Sequence, residues 1–227
     1  VAELGLEGTV RALEADLHAY LAAPTAGSAR VAYFCMEFGL HDSLLIYSGG
    51  LGIDSDGNTN PNHAIDNVGN TEMVLLSFSK SMVLTSIGIG FNNGGDADIA
   101  VFRYTGNQAP SLNGTTATYN GLTNAGWSLV GNYADLGVDT SSPYTPVNGA
   151  TVANNVVSTT ASSVGSSWWL IMAYNSALTT GGSKNGGTLS DGNDYFKLFG
   201  VTTNVCGAGA DCGGKKLPEP ASLALVS

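Results

Sequence analysis

The feature that most constrains the fold is a series of short apolar runs separated by clusters of glycine and asparagine. The runs cover residues 72–78, 82–91, 98–104, 127–133, 168–174 and 195–201, and several alternate between apolar and polar residues. Turn clusters at 92–95, 113–114, 148–149, 181–182 and 191–193 favour positive φ and hairpin reversals. About seven short strands without a helical period between them predict an antiparallel β-sandwich, jelly-roll-like, with longer loops at 105–126 and 140–167.

A helix and a short strand are predicted before this β region. Between residues 6 and 23 apolar side chains recur at spacings of three and four, which is one face of an amphipathic helix. Pro24 and Gly27 end that pattern, and residues 30–34 read as a short buried strand. The predicted class is therefore a mainly β protein, an antiparallel sandwich preceded by an α-helix and a short strand.

The composition changes abruptly near residue 52. Residues 1–52 contain no asparagine and nine alanines, whereas residues 53–227 contain 19 asparagines. A single uniform domain rarely changes composition in this way. We therefore predict three parts, residues 1–52, 53–216 and 217–227, of which 53–216 folds by itself and 1–46 packs poorly on it.

The charge balance excludes several classes of partner. Eight Lys and Arg residues stand against 18 Asp and Glu, a net charge of -10, so electrostatic binding of nucleic acid is not expected. Charged residues make up 11% of the chain, below the ~25% usual for soluble domains, and Gly, Asn, Ser and Thr are abundant. An uncharged polar surface of this kind is typical of extracellular β-proteins. We expect a signal peptide and a membrane tail to be missing from this chain.

Three cysteines bear on the redox compartment. Cys206 and Cys212 are close in sequence and could close a small disulfide loop in an oxidising compartment, while Cys35 stands alone. The alternative for the pair is zinc, but two thiolates without a nearby His or third Cys fall short of four ligands. The disulfide is the favoured interpretation.

Residues 31–52, VAYFCMEFGLHDSLLIYSGGLG, resemble the N-terminal motif of bacterial α-glucan (glycogen) phosphorylases. Departures are Cys35 for the family's usual Ser, Asp42 for Glu and Leu45 for Pro. The resemblance implies that Gly49, Gly50, Leu51 and Gly52 are the remnant of a glycine loop beside the sugar and phosphate sites, where missing Cβ atoms let backbone N–H groups approach an anion.

The rest of such an enzyme does not follow. After Gly52 comes an unrelated polar turn, and the lysine that carries pyridoxal phosphate in the family, the second domain and the phosphate-binding basic residues are absent from this sequence. Pyridoxal phosphate is thus implied only for the intact phosphorylase. Phosphorylase activity is not expected, and an inactive enzyme fragment is kept as an alternative function.

Near the C-terminus Pro218, Glu219 and Pro220 stand in a row. Upstream of them are NHAIDN at 62–67, EMVLLSF at 72–78, IGIG at 87–90, RYTG at 103–106 and DYFKL at 194–198. In these motifs residues 53–227 resemble PEP-CTERM surface proteins that depend on exosortase-type sorting enzymes, and Pro218–Pro220 match the start of that family's sorting tail. The resemblance implies export to the cell surface and an exosortase-type partner for the intact family member.

The two resemblances meet at residues 47–52, a stretch that is compatible with either of the two families. This suggests a chimera, formed by recombination or by faulty sequence assembly, although a natural fusion is the alternative.

Candidate ligand sites are few. Asp54, Asp56, Asn58 and Asn60 alternate like calcium ligands, but Gly57 comes too early and Ile65 occupies the position of the bidentate Glu, so a solvated turn is favoured. A second set pools Asp66, Glu72 and Asp194 from different strands. Trp168 and Trp169 could form a sugar-stacking platform, although adjacent strand residues point to opposite faces and core packing of both is favoured.

No catalytic constellation is evident. His18, His41 and His63 are scattered, and the chain has no Gly-x-Ser-x-Gly nucleophile elbow. The sequence therefore predicts a non-enzymatic, exported cell-surface or matrix protein with a structural or adhesive role. The alternatives are the phosphorylase fragment and a carbohydrate-binding module that takes matrix polysaccharide.

Overall fold

The computed structural model describes residues 31–36, 64–69, 71–92, 96–110, 118–191, 193–207 and 211–214, with the backbone alone for 31–36. The regular secondary structure of the described part of the chain is almost entirely β-strand, with ten strands and one helix. The elements in chain order are β1 Val31–Met36, β2 Ile65–Asp66, β3 Met73–Asn92, β4 Ile99–Tyr104, α1 Tyr119–Asn124, β5 Trp127–Tyr133, β6 Thr145–Pro146, β7 Thr151–Ala153, β8 Val156–Ser158, β9 Ser166–Ala173 and β10 Tyr195–Val205. None of the described helices is long and apolar enough to cross a membrane.

Most strands belong to one antiparallel sheet in the order β2-β10-β3-β9-β4-β5. The long strand β3 connects the two halves of this sheet, because Met73–Ser77 pairs with β9 whereas Met82–Asn92 pairs with β10. Ser79 and Lys80, between the halves, are exposed. The sheet therefore turns at this point into two layers, and the predicted mainly β, antiparallel class is confirmed.

The main core lies between the two layers. One layer contributes Val74, Leu76, Val101, Trp169 and Ile171, and the other contributes Leu84, Ile87, Ile89, Phe196, Leu198 and Val201. A second apolar cluster covers the outer face of the β3–β9–β4–β5 layer, where Leu122 of α1 and Leu178 pack on Phe102, Trp127, Trp168 and Leu170. Strand β9 is consequently buried along its whole length.

Helix α1 and strands β6, β7 and β8 occur where the sequence predicted loops. Helix α1 lies in the stretch 105–126, and its N-cap is Thr118, whose Oγ1 accepts a hydrogen bond from the Gly121 backbone N–H at 3.0 Å. Strands β7 and β8 form a hairpin in the stretch 140–167. Asn154 and Asn155 both have positive φ at its turn, which matches the right-handed twist of the strands.

The strand predicted at 30–34 is present as β1, residues Val31–Met36. It pairs in parallel with the first half of β3, in a register that runs from Val31 opposite Met73 to Met36 opposite Phe78. This pairing joins a segment before residue 52 to the sheet after it. The helix predicted at 6–23 lies outside the described residues, and the division of the chain at residue 52 stays a prediction.

Candidate functional site

Polar side chains collect where the strands begin and end. Strands β4 and β10 begin directly after Asp98 and Asp194, and β5 ends two residues before Asp135. Together with Asp96 these residues form what we call the acidic cluster. Because neighbouring antiparallel strands start and end at the same edge, residues far apart in sequence meet here.

Asp98 is fully buried and accepts two backbone hydrogen bonds. Its Oδ1 receives the N–H of Asp135 at 2.8 Å, and its Oδ2 receives the N–H of Ser190 at 2.8 Å. Burial raises the pKa of Asp98 above its ordinary value, and the two backbone hydrogen bonds oppose that shift. The carboxylate thereby ties two loops to the start of β4.

Asp194 is also fully buried, at the start of the other layer's strand β10. Its Oδ1 accepts the Asp98 backbone N–H at 3.0 Å, and its Oδ2 accepts Nδ2 of Asn67 at 2.6 Å. Burial raises the pKa of Asp194 to about 7, and the negative charges of Asp98 and Asp96 add to the shift. Asp194 thus gains or loses a proton in the neutral range.

Three members of the acidic cluster are close enough to share a ligand. One carboxylate oxygen from each of Asp96, Asp98 and Asp135 lies within 4.8 Å of the others. Oxygen sets of this kind suit hard cations such as calcium. Each of these carboxylates also accepts hydrogen bonds from the protein, since Asp96 accepts the Ser190 hydroxyl at 3.2 Å and Asp135 accepts the Thr188 N–H at 3.3 Å. The hydrogen bonds that these carboxylates accept therefore hold loops in place.

The set predicted from sequence lies around the pairing of β2 with β10, in which Asp66 is opposite Tyr195, the residue after Asp194. The Asp66 N–H donates to Glu72 Oε2 at 3.2 Å, and the Glu72 N–H donates to the Asp66 carbonyl at 2.8 Å. Asp194 contacts Asp98 and Asn67, the residue after Asp66. Sequence reasoning missed Asp96, Asp98 and Asp135 as a group, although Asp98 was placed at the start of a strand.

The remaining predicted site residues fall into those that the structure describes and those that lie outside its described part. The glycine loop Gly49–Gly52, the candidate calcium ligands Asp54, Asp56, Asn58 and Asn60, and the sorting motif Pro218–Pro220 all lie outside the described residues. Cys206 and Cys212 are joined by a disulfide, with Cα atoms 5.8 Å apart. Trp168 and Trp169 are 3% and 0% exposed, on opposite faces of β9, so neither presents a ring to solvent.

Comparisons with protein-family models, with curated proteins and with solved structures gave no match for this chain.

Proposed function

We propose that this protein is a non-enzymatic, exported β-sandwich with a structural or adhesive role at the cell surface or in the extracellular matrix. The observation that carries the proposal is the disulfide between Cys206 and Cys212. Disulfides persist in oxidising compartments and are rare in the cytosol, where thiols are kept reduced. The low charge content of the chain supports the same compartment.

The contacts of the acidic cluster also support a structural role. Asp98 and Asp194 direct their oxygens at backbone N–H groups and at Asn67, and so fix the loops at one end of the sandwich. With Trp168 and Trp169 buried, the carbohydrate-binding alternative is left without the platform proposed for it. These residues fit best a structural role, in which the folded domain acts without binding a ligand.

The sorting tail and its partner belong to the same proposal. Pro218, Glu219 and Pro220 follow the sandwich, and an exosortase-type enzyme is the partner that the resemblance implies for the intact family member. The proposal requires no cofactor. Calcium at Asp54, Asp56, Asn58 and Asn60 stays a prediction, which melting with calcium and with a chelator would test.

Cell fractionation with thiol trapping tests the proposed function. In the Cys35→Ser variant the remaining thiols are Cys206 and Cys212, so alkylation before and after reduction reports on this pair alone. We expect the chain in the surface or extracellular fraction, with both thiols blocked until reductant is added. A cytosolic chain with freely alkylated thiols would contradict the proposal.

Two further measurements address the alternative functions. A phosphorylase fragment that retained cofactor binding would show pyridoxal phosphate absorbance, which we expect to be absent. A carbohydrate-binding module would be retarded by glycogen or matrix polysaccharide in affinity electrophoresis. We expect no retardation, because neither Trp168 nor Trp169 presents a ring to solvent.

A further inference from the structure

The chain does not simply leave the sandwich at the end of β10. Residues 211–214, which we call the latch, return to the sheet beside the start of β9. The Gly165 N–H donates to the Asp211 carbonyl at 2.7 Å, and the Ser167 N–H donates to the Gly214 carbonyl at 2.8 Å. The latch therefore provides acceptors for two backbone N–H groups, one just before β9 and one within it.

A buried arginine holds the latch from the neighbouring strand. Arg103 on β4 is 9% exposed, and its Nη1 donates to the carbonyls of Asp211 and Gly165 at 3.2 and 3.3 Å. Its Nη2 forms an ion pair with the Asp211 carboxylate. The hydrogen bond from this guanidinium lowers the pKa of Asp211 below its ordinary value.

The third anchor is the bend of β3. The Cys206 N–H donates to the Ser81 carbonyl at 3.1 Å, and the Ser81 hydroxyl donates to the Gly213 carbonyl at 3.4 Å. The fit is close, because a Cβ on Gly165 would lie 2.5 Å from Cys206 Sγ and a Cβ on Gly214 would overlap the Tyr104 carbonyl. The latch thus touches β3, β4 and β9 at one end of the sandwich.

The disulfide keeps the latch next to these partners. Cys212 lies inside the latch and Cys206 directly follows β10, which remains paired with β3 up to Val205 opposite Met82. The core therefore has its full set of strand pairings without the latch. Breaking the disulfide frees the latch to sample a larger volume while the strands stay paired, which favours its release.

We propose that residues 211–214 form a redox-controlled latch, fastened when Cys206 and Cys212 are oxidised and released when they are reduced. In the opening step a dithiol attacks one sulfur of the disulfide, and the mixed disulfide is then resolved by its second thiol. Cys206 and Cys212 gain two electrons and two protons and become thiols, while the dithiol is oxidised to its own disulfide. The latch then leaves Arg103 and β9.

The last point at which the described chain is held against the sheet depends on this state. With the latch fastened that point is Gly214, which accepts the Ser167 N–H, and with the latch released it is Cys206, which donates to Ser81 directly after β10.

Amide hydrogen exchange in the full chain, with and without dithiothreitol, tests the latch. The Gly165 and Ser167 amides report on it directly, because their acceptors are Asp211 and Gly214. We expect reduction to speed their exchange by about tenfold or more, since the disulfide restrains chain entropy. The amides of Leu170 and Ile171 within β9 should keep their protection. Equal exchange of Gly165 and Ser167 in both states, or loss of protection along all of β9, would overturn the proposal.

Two variants separate the disulfide from other effects of the reductant. The Cys206→Ser/Cys212→Ser double variant should show the fast Gly165 and Ser167 exchange without dithiothreitol. The control is Asp191→Asn, which alters an exposed carboxylate that accepts the Ser176 N–H at 2.8 Å and should leave both amides protected. Slow exchange in the double variant would overturn the latch whatever the cellular location of the protein, so this test is independent of the proposed function.

Discussion

Both ends of the sandwich fix loop segments to strands, but through opposite kinds of polar group: carboxylates that accept hydrogen bonds at one end and a guanidinium that donates them at the other. At the acidic cluster, buried carboxylates accept the N–H groups of Asp135, Ser190 and Asp98. At the latch, the Arg103 guanidinium donates to the carbonyls of Asp211 and Gly165, and a disulfide holds the segment in place. Strand β4 connects them, with Asp98 just before its start and Arg103 near its end, about 17 Å along the strand.

The difference lies in what each end responds to. At the acidic cluster, burial raises the pKa values of Asp98 and Asp194, and the neighbouring negative charges add to the shift. The latch contains the only ion pair between two described residues, and there the pKa of Asp211 is lowered. One end is therefore sensitive to protons near neutrality, and the other to reductants.

Acidification from neutral pH should stabilise the protein through Asp194. Its pKa is raised from 3.8 to about 7, so the folded state binds a proton more tightly than the unfolded state. The unfolding free energy should therefore increase as the pH falls from about 7 towards about 4, by at most about 4 kcal/mol. Denaturant unfolding across this pH range measures the effect.

The Asp194→Asn variant should remove most of that pH dependence. The amide offers one acceptor oxygen where the carboxylate offers two, so one of the hydrogen bonds from the Asp98 N–H and Asn67 is lost. Because the amide does not titrate, the slope of stability with pH is what decides. Asp191→Asn is the matched control and should keep the wild-type slope, since this carboxylate is exposed. An unchanged slope in Asp194→Asn would show that another group titrates.

Replacing Asp98 should lower the unfolding free energy by loosening the end of the sandwich that holds the acidic cluster. Asp98→Ala leaves the N–H groups of Asp135 and Ser190 without their acceptor, and hydrogen bonds to a charged group are worth about 1.5–3 kcal/mol each. We expect a loss of about 3 kcal/mol in unfolding free energy near neutral pH. Asp96→Ala loses one hydrogen bond from the Ser190 hydroxyl, and because that bond is exposed to solvent the cost should be smaller, about 1 kcal/mol. Similar losses in the two variants would refute the anchoring role of Asp98.

Reduction should weaken the latch end by a smaller amount. The cysteines are separated by six positions, and closing a loop of that size is worth about 2 kcal/mol in the chain-entropy account. Unfolding with and without dithiothreitol measures this difference directly. The Cys206→Ser/Cys212→Ser variant should match the reduced protein and be insensitive to dithiothreitol.

The ion pair should contribute least. Asp211 has 62% of its side chain exposed, so solvent screens its attraction to Arg103. Asp211→Asn should lower the unfolding free energy by less than about 1 kcal/mol, and salt should diminish the difference. Because the pKa of Asp211 is lowered, its contribution is present above the ordinary value of 3.8 and is lost only as the pH falls below it.

The strands could be predicted from sequence because alternation and turn residues are local signals. The predicted runs at 98–104, 127–133 and 168–174 correspond closely to β4, β5 and β9. The continuity of β3 was missed because Ser79, Lys80 and Ser81 read as a polar break, whereas in the fold they form the bend of one long strand. Helix α1 was missed because only Leu122 among its residues is buried, which leaves no period to detect.

The acidic cluster and the latch depend on contacts that sequence does not display. Asp98 and Asp194 are 96 residues apart, and their meeting follows from where two strands in different layers begin. Asn154 and Asn155 did carry a local signal for the β7–β8 turn, and it was absorbed into a predicted loop. The role of Arg103 could not be predicted from sequence, because its partners Gly165 and Asp211 lie 62 and 108 positions further along the chain.

The most direct test of the account is a double cycle of unfolding free energies at about pH 5 and about pH 7.5, in the oxidised and the reduced protein. Because the acidic cluster and the latch occupy opposite ends of β4 and share no contacts, their effects should add to within about 0.5 kcal/mol. Reduction should then cost the same at both pH values. A pH dependence that disappears on reduction would contradict the claim that the two ends of the sandwich are tuned separately.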